Sequence, residues 1–83
     1  MLRILFFARV REELDCGSIE LPWSRACDSV EALLATLQQR GPQWQSALGQ
    51  PNLVVAVNQQ VAEPATALQS GDEVAFFPPV TGG

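Results

Sequence analysis

The residue types that usually carry enzymatic chemistry are nearly missing from this chain. It holds no histidine, no tyrosine and no lysine, and its two cysteines, Cys16 and Cys27, lack a Cys-x-x-Cys spacing. Two thiols cannot build a disulfide framework, so both read as free cysteines. A zinc site or a serine–histidine relay would lack its ligands or its base, and no glycine-rich phosphate loop is present. No metal and no bound cofactor is expected. What remains is the chemistry of the main chain, and the stretch that carries it is "FFPPVTGG" at residues 76–83.

Pro78 and Pro79 remove two backbone donors, which stops strand pairing, and they favour an extended polyproline path. Val80, Thr81, Gly82 and Gly83 follow. Four extended residues reach about 13 Å, and the last two have no Cβ. Such a tip fits a channel too narrow for any side chain and delivers a carboxylate there. That geometry suits a partner enzyme that activates the carboxylate as an acyl-adenylate for a nucleophile to capture. The bland alternative is a fraying terminus. A fraying end, however, does not need a stiff proline stem in front of it.

A tail of this kind needs a body to hold it. At 83 residues, with 47% hydrophobic and 17% charged side chains, the chain is expected to fold as one domain with a modest core. We divide it into a folded domain over 1–79 and a functional tail over 80–83. A net charge of −4 without a basic cluster argues against nucleic acid and against an anionic membrane surface. The longest apolar runs, "ILFFA" and "LVVAV", are too short to span a bilayer, and "MLRILFFARV" running into "REE" makes a poor signal peptide. A cytoplasmic protein is the expectation.

The elements follow from periodicity. Residues 2–8, "LRILFFA", predict a strand, "RVREELD" a brief helical turn ended by Gly17, and "SIELPW" a second strand, at an edge because of Pro22. Asp28 and Glu31 have the spacing of a capping box, and Val30, Leu33, Leu34 and Leu37 share one helical face, which predicts a helix over about 29–40. Gly41 is expected as its left-handed cap and Pro42 as its stop. "QWQSALG" adds a short helical turn with Trp44 and Leu48 inward. "LVVAVN" predicts a strand, "QQVAE" its hairpin partner, Gly71-Asp72 a tight turn and "EVAFF" the last strand. The expected fold class is α+β, a mixed sheet of about five strands packed on one main helix.

Alternation then assigns faces. Ile4, Phe6, Val74 and Phe76 should meet the Leu33/Leu37 side of the helix, leaving the sides with Arg3 and Glu73 to solvent. Phe7 and Phe77 then point outward near the stem. Parity alone leaves open whether these rings are exposed or tucked under loops. Energetics favours exposure. Ordering four flexible tail residues costs about 4–8 kcal/mol, and glycine returns almost no apolar area, so recognition must come from the body.

The segments "ILFFARVREELD", "AVNQQ" and "GDEVAFFPPVTGG" resemble the small subunit of molybdopterin synthase, the MoaD family of ubiquitin-like β-grasp sulfur carriers. The resemblance covers both ends and the middle, and the closing motif is far more specific than a bare Gly-Gly. It implies a non-catalytic subunit of a sulfurtransferase. An E1-like adenylating enzyme would use ATP on the Gly83 carboxylate. A sulfur donor such as a cysteine desulfurase or rhodanese would make it a thiocarboxylate. Inside the large catalytic subunit, in a heterotetramer, it would donate sulfur to cyclic pyranopterin monophosphate, building the dithiolene of molybdopterin. By motif position Gly82 and Gly83 are the reactive tail. Phe7, Arg11 and Phe77 are contacts with partner enzymes, and Val61 is a further apolar contact. The middle, "CGSIELPWSRACD", does not bear on the assignment.

Three alternatives stay open at this level: a carrier for thiamine synthesis or tRNA thiolation, a ubiquitin-like modifier that forms isopeptide bonds, and a plain interaction module with an incidental tail. All five cationic side chains are arginine. Absence of lysine would limit self-ligation between activated carriers, because guanidinium stays protonated. The plainer reading is compositional bias.

Overall fold

The structure is a computed structural model that describes residues 1–79. The predicted tail, Val80 to Gly83, lies outside the described residues. Five strands form one mixed sheet: β1 (Leu2–Phe6), β2 (Ser18–Leu21), β3 (Val54–Val57), β4 (Gln60–Val61) and β5 (Glu73–Phe77), in the order β2-β1-β5-β3-β4. The first and last strands lie side by side in parallel, with Arg3 opposite Glu73 and Phe6 opposite Phe76, while the other pairs are antiparallel. The expected α+β fold, and the edge position of β2, are as read from the sequence.

Alternation sets the core. Leu2, Ile4 and Phe6 of β1 and Val74 and Phe76 of β5 are fully buried, together with Val30, Leu33 and Leu37 of α2 (Val30–Gln38). Phe6 stacks on Phe76 at 6.1 Å between centroids and meets Trp44 edge-on at 5.5 Å. The predicted helical face is right except at Leu34, which is half-buried at its margin.

Two further helices exceed the single main one expected. α1 (Ala8–Leu14) buries Val10 and Leu14, and α3 (Pro42–Leu48) buries Ala47 and Leu48, all in the same core. Each spans only two turns, so each offers one i, i+4 or i, i+3 repeat, a signal too short to read as more than a turn. The first strand accordingly ends at Phe6 rather than at residue 8. Helix α1 stops at Asp15, in the left-handed region at φ 51°, ψ 42°, before Gly17 is reached.

Both ends of the main helix also differ from expectation. The cap is Ser29, whose Oγ accepts from the Ala32 amide at 3.2 Å. Asp28 instead closes a single 3-10 turn over Arg25–Cys27, and its carbonyl accepts from Leu68 N. The next amides, of Val30 and Glu31, donate to the carbonyls of Thr66 and Pro64, so a loop completes the cap that Glu31 was expected to share. Gly41 is no left-handed helical cap. At φ 154°, ψ 174° it occupies a region essentially reserved for glycine, and Pro42 opens α3 instead of merely ending α2.

At the far end of the sheet, Asn58 and Gln59 both have positive φ and make the two-residue turn between β3 and β4. Asn58 donates to Asp72 Oδ1 and accepts from the Glu73 amide, both at 3.0 Å, which ties that hairpin to the start of β5. Gly71, at φ 96°, sits in the tight turn expected there, closed by Asp72 N donating to Gln69 O.

Ser29→Ala should lower unfolding free energy by about 1 kcal/mol in urea titration, with unchanged m-value. Asp28→Ala should change it by less than about 0.5 kcal/mol. Equal effects would contradict the cap assignment.

Candidate functional site

The sheet has two unlike faces. All three helices bury their side chains against one, whereas the other carries Leu5 from β1, Ala75 and Phe77 from β5, Val54 and Ala56 from β3, and Val61 from β4. Cross-strand register places them together, since Leu5 opposes Ala75, Ala75 opposes Ala56, Ala56 opposes Val61 and Phe77 opposes Val54. Paired residues on adjacent strands share a side, so this is one continuous apolar surface.

Phe7 joins it from just beyond β1. Its amide still donates to the Phe76 carbonyl at 3.1 Å, and its backbone is extended, so the side chain keeps the parity of Arg3 and Leu5. Ala8 then turns sharply at φ 53°, a left-handed conformation that costs a non-glycine residue about 1 kcal/mol. That turn starts α1 at once and leaves Phe7 on the open side. Its ring meets Phe77 edge-on at 6.5 Å and 78°. Phe7 is 45% exposed and Phe77 is half-buried beneath it, which resolves the question that parity left open.

The other expected contacts are spread more widely. Val61, 79% exposed, lies on the same face at the opposite sheet edge. Arg11 is not brought to the ring pair. It lies on α1 toward β2, where its guanidinium covers Gly17 so closely that a Cβ there would sit 3.3 Å from Nε. Val54, Ala56 and Ala75 were not singled out from the sequence. Strand alternation carried the signal for Ala75, but placing Val54 and Ala56 beside it requires the β3–β5 register.

The stem leaves β5 at this end. Pro78 and Pro79 share a shallow cleft with Ala8, Arg9, Pro51 and Asn52, so the last described residues depart directly beside the ring pair. Cys16 is half-buried with Sγ 3.4 Å from the Ser18 carbonyl, and Cys27 is buried; both are free thiols. Among the described residues no three acidic, cysteine or histidine side chains gather to hold a metal ion, and no helix is long and apolar enough to cross a membrane.

A family model described as the ThiS family matches residues 4–83. The chain belongs to the ThiS family. Among full-length relatives, the molybdopterin synthase sulfur carrier subunit of Haemophilus influenzae is 45% identical over 83 residues, covering 100% of both chains. The molybdopterin synthase sulfur carrier subunit of Escherichia coli is 44% identical over 85 residues, again covering 100% of both. Among solved structures, the small archaeal modifier protein SAMP1 of Haloferax volcanii superposes with a TM-score of 0.79 at 26% identity, covering 99% of this chain and 98% of that one. The resemblance read from the opening, middle and closing segments, and the β-grasp fold it implied, are borne out by these matches.

A core phenylalanine of β5 and the exposed one beyond β1 should respond unequally to truncation. Phe76→Ala should cost about 3–5 kcal/mol, and Phe7→Ala, at an exposed ring, less than about 1 kcal/mol. Chemical denaturation of both variants measures the contrast, and comparable losses would mean that the face is not open.

Proposed function

We propose that this chain is the sulfur carrier subunit of a molybdopterin synthase and that its reactive group is the Gly83 carboxylate. The observation that carries this reading is full-length identity near 45% to sulfur carrier subunits, with the family match extending through the Gly-Gly motif. The exposed Phe7/Phe77 pair near the Pro78-Pro79 stem supports the reading as a surface on which a partner could dock.

The chemistry then proceeds on partners. In an E1-like enzyme the Gly83 carboxylate attacks the α-phosphorus of ATP, pyrophosphate leaves, and an acyl-adenylate forms. The outer sulfur of a donor persulfide, as on a cysteine desulfurase or rhodanese, displaces AMP to give an acyl disulfide. A second thiol then cleaves the S–S bond, releasing the thiocarboxylate and leaving the donor sulfur in a disulfide. Inserted into the large catalytic subunit, that soft anion attacks cyclic pyranopterin monophosphate, and water cleaves the resulting thioester, leaving the sulfur on the pterin and returning the tail to a carboxylate. Two such deliveries build the dithiolene. The carrier itself contributes no catalytic side chain and binds no cofactor, with the cytoplasm as its compartment.

Division of labour follows from magnitudes. The folded body over 1–79 docks through Phe7, Phe77 and Val61, with Arg11 at the flank, and this binding offsets the ordering of Val80, Thr81, Gly82 and Gly83. Because Gly82 and Gly83 lack side chains, the large subunit can close around them. A second reading, a protein modifier, draws on the likeness to SAMP1. It predicts covalent conjugates on denaturing blots.

Deleting Gly82-Gly83 should abolish sulfur transfer to the pterin precursor while leaving thermal unfolding unchanged. Undiminished molybdopterin formation by the truncated chain would rule the proposal out. Phe7→Asp should weaken association with the large subunit at least about tenfold in calorimetry, with the fold retained.

A further inference from the structure

One cation, a poor nucleophile, stands beside the tail stem. Arg9 shares the cleft of Pro78 and Pro79, and Arg11 follows half a turn later on the same helix. Neither position, nor any other in residues 1–83, is lysine. The α-amine of Met1 donates to Ser70 Oγ at 2.9 Å, and Met1 O accepts from Gly71 N. Gly71 and Pro79 are separated by the whole length of β5, about 26 Å at roughly 3.3 Å per residue. Four residues beyond Pro79 reach about 13 Å, so the chain's own tail cannot return to Met1.

We propose that arginine at position 9 keeps the activated Gly83 acyl group from being captured by its own carrier. The inference rests on the carrier reading above and adds a property of this chain's surface to it. An acyl-adenylate or acyl-thioester loses its leaving group to any free amine in reach: the nitrogen lone pair forms an amide bond, AMP or thiol departs, and the amine proton goes to solvent. A tail tethered beside Arg9 would present such an amine at millimolar effective concentration. Guanidinium, with a pKa at least about 2 units above that of an ammonium group, supplies roughly a hundredfold less free base at any pH below both. Arginine therefore keeps positive charge beside the stem while removing the competing reaction.

The test needs no activating enzyme. The full chain is made as a Gly83 α-thioester by intein cleavage, in parent form and as Arg9→Lys, Arg9→Gln and Arg25→Lys. Arg25 follows β2, at the end of the sheet away from the stem. Intact mass is followed at mildly alkaline pH. The parent, Arg9→Gln and Arg25→Lys should decay only to the hydrolysed acid. Arg9→Lys should lose its thioester at least about tenfold faster, giving a chain closed on itself whose mass is that of the acid less one water. Fragmentation should place the bond between Gly83 and position 9. A closed product from the parent, or equal hydrolysis of Arg9→Lys and parent without closure, overturns the inference. Those results leave the carrier reading standing, because it is judged separately by pterin sulfuration.

Discussion

Parallel pairing of the first and last strands is the constraint on which the rest of the molecule depends. It joins residues seventy positions apart in register, Arg3 with Glu73 and Phe6 with Phe76. Phe6 and Phe76 face the helices and stack in the core. The same register carries Phe7 and Phe77 to the opposite side, one against the other, at the end where Pro78 and Pro79 leave the sheet. A slip of β1 by one residue would turn Phe7 inward and expose Phe6, separating both pairs. The buried aromatic pair and the exposed one are thus two outcomes of a single alignment.

Much of this was legible because alternation and helix periodicity survive in the sequence. Ile4, Phe6, Val74 and Phe76 declared one face, and Val30, Leu33 and Leu37 declared the helix that covers it. The short helices were harder, since Val10 with Leu14 and Ala47 with Leu48 give too few repeats to separate a helix from a turn. Ser29 was hidden by the better-looking Asp28–Glu31 spacing, and the reason lies sixty-odd positions into the chain, where Pro64, Thr66 and Leu68 return to bind that helix end. Local rules cannot see a cap supplied by a distant loop.

The exposed apolar face was half visible for the same reason. Phe7 and Phe77 could be placed on the solvent side by parity within their own strands, and the entropy of ordering the tail argued that they should be used. Val54 and Ala56 could not, because nothing local fixes which face of β3 joins which face of β5. Arg11 and Val61 came from family resemblance. The fold sets them on opposite flanks of the ring pair, one on α1 toward β2 and the other on β4.

The two poles of the sheet carry different burdens. One holds the aromatic pair and the stem; the other is knitted by Asn58, Asp72 and Glu73, with Ser70 and Met1 beside them. A reporter hung on the exposed side chain of Gln69 would ride at the pole opposite the aromatic pair. Association of the chain with any second protein could then be watched by fluorescence in real time, with the label as a passenger.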